Sequence, residues 1–341
     1  MTTAFDPFVD HSIRTSVFFP VSRLFVSGNP KAAGTSLRWW LLQSHGIDVA
    51  KRTEGSLWGE SAPAQTVWDG SVNLRFTWDS LSDAERDDAL SSVDVLSVLA
   101  VRHPVTRAFS SWAGKYLTLE PYYNERLGDE FPLPPDQIDS REQIRDLFEE
   151  FVLTVAARTM DADRWVGFDV HFWPQHLLLA RTPVGPTLQL RQESMGEGLA
   201  AIDAHLLAHG ITPAAVPRFN ENVIPYQPDL VSESALTALV ELYGPDFDAY
   251  DYDPTAPSAT DRVVDLDWLN DVRGRNRRYE VVHRAAIDGR QRTRAMQRRI
   301  DELDSELAAL RASRSWQVTQ PLRWASEHVG AARPVKPPGT S

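Results

Sequence analysis

The sequence predicts an α/β fold in which a central parallel sheet is flanked by helices, with a helical extension after it. Three observations carry this reading. Short apolar runs occur at Leu24-Phe25-Val26 and Val95 to Val101, and Thr187 to Arg191 reads as a further strand. The first two are each followed by a loop and then by apolar residues at helical spacing. Strands that alternate with helices argue for parallel pairing under helical cover.

Taken in order, Leu24 to Val26 ends in Ser27-Gly28-Asn29-Pro30, a strand running into a loop. Thr35 or Ser36 is expected to cap a helix whose apolar residues Leu37, Trp40 and Leu41 share a face. The second strand ends at Arg102, and a helix is expected from near Val105, just after Pro104, to about Tyr116. Residues Glu142 to Ala157 read as an amphipathic helix through Ile144, Leu147, Phe148, Phe151, Val152 and Val155. Pro-rich stretches at Phe131 to Pro135 and Thr212 to Pro228 read as loops. A boundary is expected within Asp251 to Asp261, dividing a main domain, 1–260, from an extension, 261–341. In the extension Met296, Ile300, Leu303, Leu307 and Leu310 follow the spacing of a short coiled-coil seam, and the Pro-rich end is expected to be disordered.

Composition narrows the function classes. The chain has 341 residues, 42% of them hydrophobic, enough to bury a sizeable core. It has no cysteine, which excludes disulfides and thiolate chemistry and suits a reducing, cytoplasmic setting. The N-terminal MTTAFDPFVDHSIR does not read as a secretory signal, and no apolar run has the roughly eighteen residues of a membrane span. The net charge is −12, unevenly spread: 15 Lys/Arg stand against 8 Asp/Glu from Asn270 onward, and 20 against 39 before it. So acidic a body argues against nucleic-acid binding, and an anionic ligand would have to be held by a few specific basic residues.

FVSGNPKAAGTSL is the first segment with chemistry in it. A loop of small residues opening a helix presents backbone N–H groups to one point, and the helix dipole adds to them. Lys31 supplies a full charge at the mouth, and Thr35 and Ser36 add hydroxyls. Lys precedes Gly here, unlike the nucleotide-triphosphatase pattern GxxxxGK[ST], which weakens a kinase or ATPase reading. The alternative is an ordinary capped turn. In the second segment, LAVRHPVTRAFSSWAGKY, Arg102 closes a strand, and Arg107 and Ser110 share one helix face. An Arg at a strand end and a Ser on the next helix suit a phosphate gripped from two sides, although such residues are also common at solvated caps.

Together the two segments resemble the signatures with which the sulfotransferase superfamily binds 3′-phosphoadenosine-5′-phosphosulfate (PAPS), most like those of Golgi-type carbohydrate sulfotransferases. PKAAGTSL resembles the 5′-phosphosulfate loop; VRHPVTRAFSSWAGKY resembles the 3′-phosphate pattern, with Arg102, Pro104, Arg107, Ser110, Lys115 and Tyr116 in register and His103 in place of the usual Asp. DVHFWPQHLL, LRQESM and YGPDFDAYDYD are similar to later family segments, so the resemblance covers roughly Leu24 to Asp253. It lacks the cysteines and membrane anchor of the Golgi relatives, which implies a soluble, bacterial-type member.

The resemblance implies a P-loop-like three-layer fold and a cofactor site. Ala33, Gly34, Thr35 and Ser36 would carry the 5′-phosphosulfate, with Lys31 on the bridging oxygen. Arg102 and Ser110 would hold the 3′-phosphate, and Arg218 in PRFNENVIPY would reach back to it. PAP, the 3′,5′-adenosine bisphosphate, would leave as product. No metal is implied, and His171 and His176 lack the i, i+4 spacing of a helical metal pair. The base is less plain. Relatives often place a His between the two loops, where this chain reads Asn73 to Asp79 without one. His171 is the first choice because it can titrate near neutrality, although a buried structural histidine fits equally; His45, Asp79 and Glu193 stay open.

For the acceptor, a carbohydrate or glycolipid hydroxyl is expected. Trp39, Trp40, Trp58, Trp68, Trp78, Trp112, Tyr122 and Tyr123 are candidates for stacking on sugars, Trp58 and Trp68 before the rest and Trp40 more as core. The basic C-terminal helix suits self-association or peripheral contact with an anionic membrane. Its LRASRSWQVTQPLRW is similar to tails appended to bacterial glycosyltransferases and related glycan-modifying enzymes. Two other classes stand beside the sulfotransferase: a small-molecule kinase of the same architecture, and a non-catalytic PAP- or PAPS-binding scaffold.

Overall fold

The structure, a computed structural model, describes residues 6–47, 76–120, 131, 134–158, 165, 168–217 and 223–279, with scattered positions from 296 to 319. The chain forms two compact units, Met1–Arg277 and Arg278–Ser341.

The first unit is built on four strands, β1 (Val17–Phe19), β2 (Leu24–Val26), β3 (Leu96–Val101) and β4 (Leu188–Arg191), in the order β1-β2-β3-β4. β2, β3 and β4 are parallel, with Leu24 opposite Leu96 and Val98 opposite Leu188. β1 departs from the expected parallel sheet: it runs antiparallel to β2, Val17 opposite Val26. Residues 20–23 are its whole connection to β2, too short for the crossover that parallel pairing requires.

Helices cover both faces. From the strands, Val17, Phe19, Leu24, Val26, Val98 and Ala100 enter one core with residues of α2 (Gly34–Ser44) and α7 (Met195–Ala208). On β3, Leu99 and Val101 alternate into a second, larger core. That core is filled from α4 (Pro104–Trp112), α5 (Arg141–Arg158), α6 (Gln175–Leu179), α8 (Glu233–Leu242) and α9 (Gly244–Tyr250). α5 buries Ile144, Phe148, Phe151, Val152 and Val155, as its spacing predicts. Each such large apolar side chain contributes about 1.5–3 kcal/mol on leaving water. The remaining helices are α1 (Pro7–Thr15), capped by Asp6, and α3 (Asp83–Ser91), closed by a Ser82–Glu85 capping box. α4 does not run on regularly to Tyr116; a π-helical turn, Ala113–Leu117, continues it.

Helical residues 266–277 also belong to this unit: Leu269 is in the large core, and Arg273 donates to the carbonyls of Leu117 and Pro135. In the second unit Met296, Ile300 and Leu303 are helical and exposed; Leu307 and Leu310, the rest of the expected seam, lie outside the described residues.

Because β2 and β3 are adjacent and parallel, the loops that follow them leave from the same end of the sheet. Ligands of open α/β sheets bind at such strand ends.

Candidate active site

The loop after β2 is fastened to β3 before it turns. The Ser27 amide donates to the Val98 carbonyl at 3.0 Å, and Asn29 Nδ2 donates to the Ala100 carbonyl and to Gln175 Oε1, both at 2.8 Å. Gly28 passes so close to α1 that a Cβ there would lie 2.1 Å from Thr15 Oγ1, which explains the glycine. Lys31 and Ala33 then adopt left-handed conformations, φ 65° and 60°, on either side of Ala32. Non-glycine residues rarely hold that geometry, which costs of order 1–2 kcal/mol each and turns successive amides toward one side.

This turn corrects the expected cap. Ala33, not Thr35 or Ser36, occupies the N-cap of α2, and no side chain caps the helix; its first turn holds no acidic residue. Gly34, Thr35 and Ser36 are that first turn, so the hydroxyls of Thr35 and Ser36 stand inside the helix, beside amides whose dipole favours an anion.

Arg102 follows β3 directly and meets the loop. Its Nη1 donates to the Lys31 carbonyl at 3.2 Å and its Nε to Thr106 Oγ1 at 3.1 Å. His103 serves as the N-cap of α4: its Nδ1 accepts from the Val105 amide at 3.3 Å while Nε2 donates to the Asp253 carbonyl at 3.0 Å. That capping acceptor is what an Asp would supply, so the substitution keeps the turn. Arg107 is buried, donating to the carbonyls of Pro30 (3.0 Å) and Trp173 (2.8 Å), and thus braces the loop from below. Ser110 is buried one turn further along α4. Lys115, on the π-helical turn, pairs with Glu120 at 2.6 Å.

Gln175 knits these pieces together. Its Oε1 accepts from Asn29 and from the Arg102 amide at 3.0 Å, and its Nε2 donates to the Arg102 carbonyl at 2.8 Å. Gln175 is in turn seated by Asp246 of α9, whose carboxylate accepts from the amides of Gln175 and His176 and from His176 Nδ1, at 2.7–2.8 Å. A fully buried carboxylate is stable only with such a set of donors.

His171 lies in a 3-10 turn, Val170–Phe172, capped by Asp169. Oδ1 of Asp169 accepts both the His171 amide (2.8 Å) and His171 Nδ1 (2.7 Å). The His171 carbonyl accepts from Ser111 Oγ at 2.8 Å, tying the turn to α4.

The electrostatics join Lys31 to this histidine. Burial pushes Lys31 down to about 7; the charges of Lys115 and Arg102 act the same way, and those of Glu120 and Asp169 oppose them. Burial likewise pushes His171 down to about 4, with the Lys115 and Lys31 charges adding to it against Asp169. For Asp169, burial acts upward, but the hydrogen bonds and charge of His171 outweigh it and hold the carboxyl below its usual range. Burial lowers Arg102 to about 10. The ends of β2 and β3 therefore gather desolvated basic side chains, an arrangement complementary to a polyanion.

Other candidates have different occupations. His45 ends α2, bonded to Ser22 Oγ and the Leu41 carbonyl and stacked on Phe19. Glu193 accepts from the His103 amide and the Tyr252 hydroxyl, and Asp79 is exposed. Trp39, Trp40, Trp78 and Trp112 are core residues, Trp40 also bonding the Ala214 carbonyl. Arg218, Trp58, Trp68, Tyr122 and Tyr123 lie outside the described residues. Sequence reasoning missed Asp169, Glu120 and the seat made by Asp246. Asp169 carried one legible signal, its place two residues before His171, where an Asp caps a turn. Among the described residues no cluster of three or more His, Asp or Glu is arranged to hold a metal ion, and no helix is long and apolar enough to cross a membrane.

A family model described as "Sulfotransferase family" matches residues 20–253. Neither the curated proteins nor the solved structures include a significant match to this chain. The matched span takes in all the residues just placed around the β2 and β3 strand ends, and it is well over half of the chain: the chain belongs to the sulfotransferase family.

Proposed function

We propose that this sulfotransferase takes its sulfuryl group from PAPS and transfers it to a hydroxyl of a carbohydrate or glycolipid. The observation that carries the donor half is the pairing of a side-chain-uncapped helix N-terminus with a desolvated Lys31 and an Arg102 bonded to the Lys31 carbonyl. Such a donor supplies a sulfuryl group on a leaving phosphate, together with a 3′-phosphate that ordinary ADP-like nucleotides lack. The first-turn residues Gly34, Thr35 and Ser36 would hold the 5′ end with Ala33, and Lys31 would neutralise charge gathering on the bridging oxygen. Arg102 and Ser110 would hold the 3′-phosphate, aided by Arg218. His171 would take the acceptor proton. Positioning and preorganised charge would supply most of the rate.

The acceptor half rests on the resemblance of DVHFWPQHLL, LRQESM and YGPDFDAYDYD to segments of carbohydrate sulfotransferases. Within this reading the catalytic domain extends past the expected boundary at 260 to Arg277, because Leu269 and Arg273 pack into it, and the basic chain beyond serves self-association or peripheral membrane contact.

Calorimetry with PAP, ADP and ATP tests the donor: PAP should bind at least tenfold more tightly, and equal binding of ATP would overturn the assignment in favour of a kinase. Transfer from radiolabelled PAPS across a glycan and glycolipid panel tests the acceptor. Lys31→Ala is expected to lower kcat by about a hundredfold or more, on the scale of losing one group that stabilises transition-state charge. Arg102→Ala should act mainly on donor affinity. Unchanged kinetics in both variants would sink the site.

A further inference from the structure

The base and its surroundings carry an inference that rests on the proposed role of His171 and goes beyond it. We propose that Asp169 is the positioning residue of the site, holding the His171 ring with Nδ1 protonated so that Nε2 is the atom that accepts the acceptor's proton.

The geometry fixes the tautomer. An ionised carboxylate only accepts, so the 2.7 Å contact from His171 Nδ1 to Asp169 Oδ1 places the ring proton on Nδ1. The same Oδ1 accepts the His171 amide at 2.8 Å, so one atom orients both the backbone and the ring. The ring lies in a short turn tied to α4 through Ser111. The Asp169 side chain is almost wholly buried, and its Oδ2 has no hydrogen-bond partner among the described residues. A carboxylate kept in that state is costly unless a nearby charge uses it.

The groups facing the pair come from several elements. Lys31 of the loop and Lys115 of the π-helical turn act on His171, with Glu120 paired to Lys115. His11 of α1 feels the charge of Asp169, and with it those of Arg38, Arg107 and Asp10. In transfer, the acceptor oxygen bonds to sulfur, the bond from sulfur to the bridging oxygen breaks, and the hydroxyl proton passes to Nε2. The imidazolium so formed sits against the Asp169 charge, while the electron pair of the broken bond leaves with the nucleotide.

Two measurements test this. In 15N-histidine NMR of the full chain, the His171 signals being identified by their loss in His171→Gln, the wild type should show a proton on Nδ1, and Asp169→Asn a mixture of tautomers. A proton on Nε2 in the wild type overturns the proposal, whether or not the protein binds PAP, so this arm fails independently of the donor assignment. Kinetically, Asp169→Asn should lower kcat about ten- to a hundredfold with the donor KM held within about twofold. Because the carboxylate favours the imidazolium, removing it should move the acid limb of the kcat profile to lower pH. Asp169→Glu should restore part of kcat. An unchanged kcat and pH limb in Asp169→Asn overturns the role. Should Asp169→Asn fail to fold, the wild-type tautomer and the Asp169→Glu profile decide the matter.

Discussion

Lys31 stands desolvated in the loop after β2, and its surroundings make a measurable claim. Burial above all pushes it down to about 7 from the ordinary lysine value. In the free protein at pH 8 it is therefore mostly neutral, whereas in the unfolded chain it is charged. The folded state thus carries the full cost of the buried charge below pH 7 and sheds it as pH rises toward the ordinary lysine range. An anion at the loop reverses the preference and favours the ammonium. PAP binding at pH 8 is accordingly expected to take up a fraction of a proton, read by calorimetry in buffers of different ionisation enthalpy. Lys31→Met should bring the uptake near zero. No uptake in the wild type would contradict the desolvated lysine.

Arg107 illustrates the limit of residue-by-residue reading at this scale. Its place in the second segment is in register with the 3′-phosphate pattern, beside Arg102. In the fold it is buried and donates through Nε and Nη1 to the carbonyls of Pro30 and Trp173, while its Nη2 has no hydrogen-bond partner among the described residues. An Arg carries the same label in sequence whether it faces a ligand or a carbonyl, and the packing of α4 against the loop shows which carbonyls Arg107 meets.

At the scale of elements, the parallel pair β2–β3 brings two loops to one sheet end, and Gln175 and Asp246 hold them there. α6 is a helix of only five residues, yet its first amide and side chain join the loop, the β3 end and α9. Asp246→Ala would leave the Gln175 and His176 amides and His176 Nδ1 without this acceptor, the first of them buried, so it is expected to cost about 1–3 kcal/mol in urea unfolding and to weaken PAP binding as the loops lose their common anchor. A variant as stable as the wild type would show the seat to be dispensable. Strand and helix existence was legible here: β2, β3, β4 and α5 follow from apolar runs and helical spacing. β1 was not, because Val17 to Phe19 is a three-residue edge strand held by the turn after it. Nor was the true start of α2, because a left-handed Ala33 occupies the N-cap with no side-chain hydrogen bond and leaves Thr35 and Ser36 inside the helix.

For the whole molecule, the chain beyond Asp253 divides in character. Leu269 is buried in the large core, Asn270 bonds both the amide and the carbonyl of Ile138, and Arg273 reaches the Leu117 carbonyl beside the π-helical turn. Truncation after Asp261 is therefore expected to lower the melting temperature by several degrees, since even 1 kcal/mol shifts a domain of this size by about 2–4 °C. Truncation after Arg277 should preserve both melting temperature and PAP affinity. Equal melting temperatures for the two truncations would show that 262–277 adds nothing to the fold.

The sequence by itself determined the family and the order of strand, loop and helix at the ends of β2 and β3, because these depend on local spacing and on residue types that few other sites combine. Only the tertiary structure decided that Asp169 faces His171, that Arg107 holds the Pro30 and Trp173 carbonyls, and that Gln175 and Asp246 seat the two loops. Those roles depend on contacts between residues up to 146 positions apart, as between Asn29 and Gln175, and on desolvation that exists only once the helices have closed over the sheet.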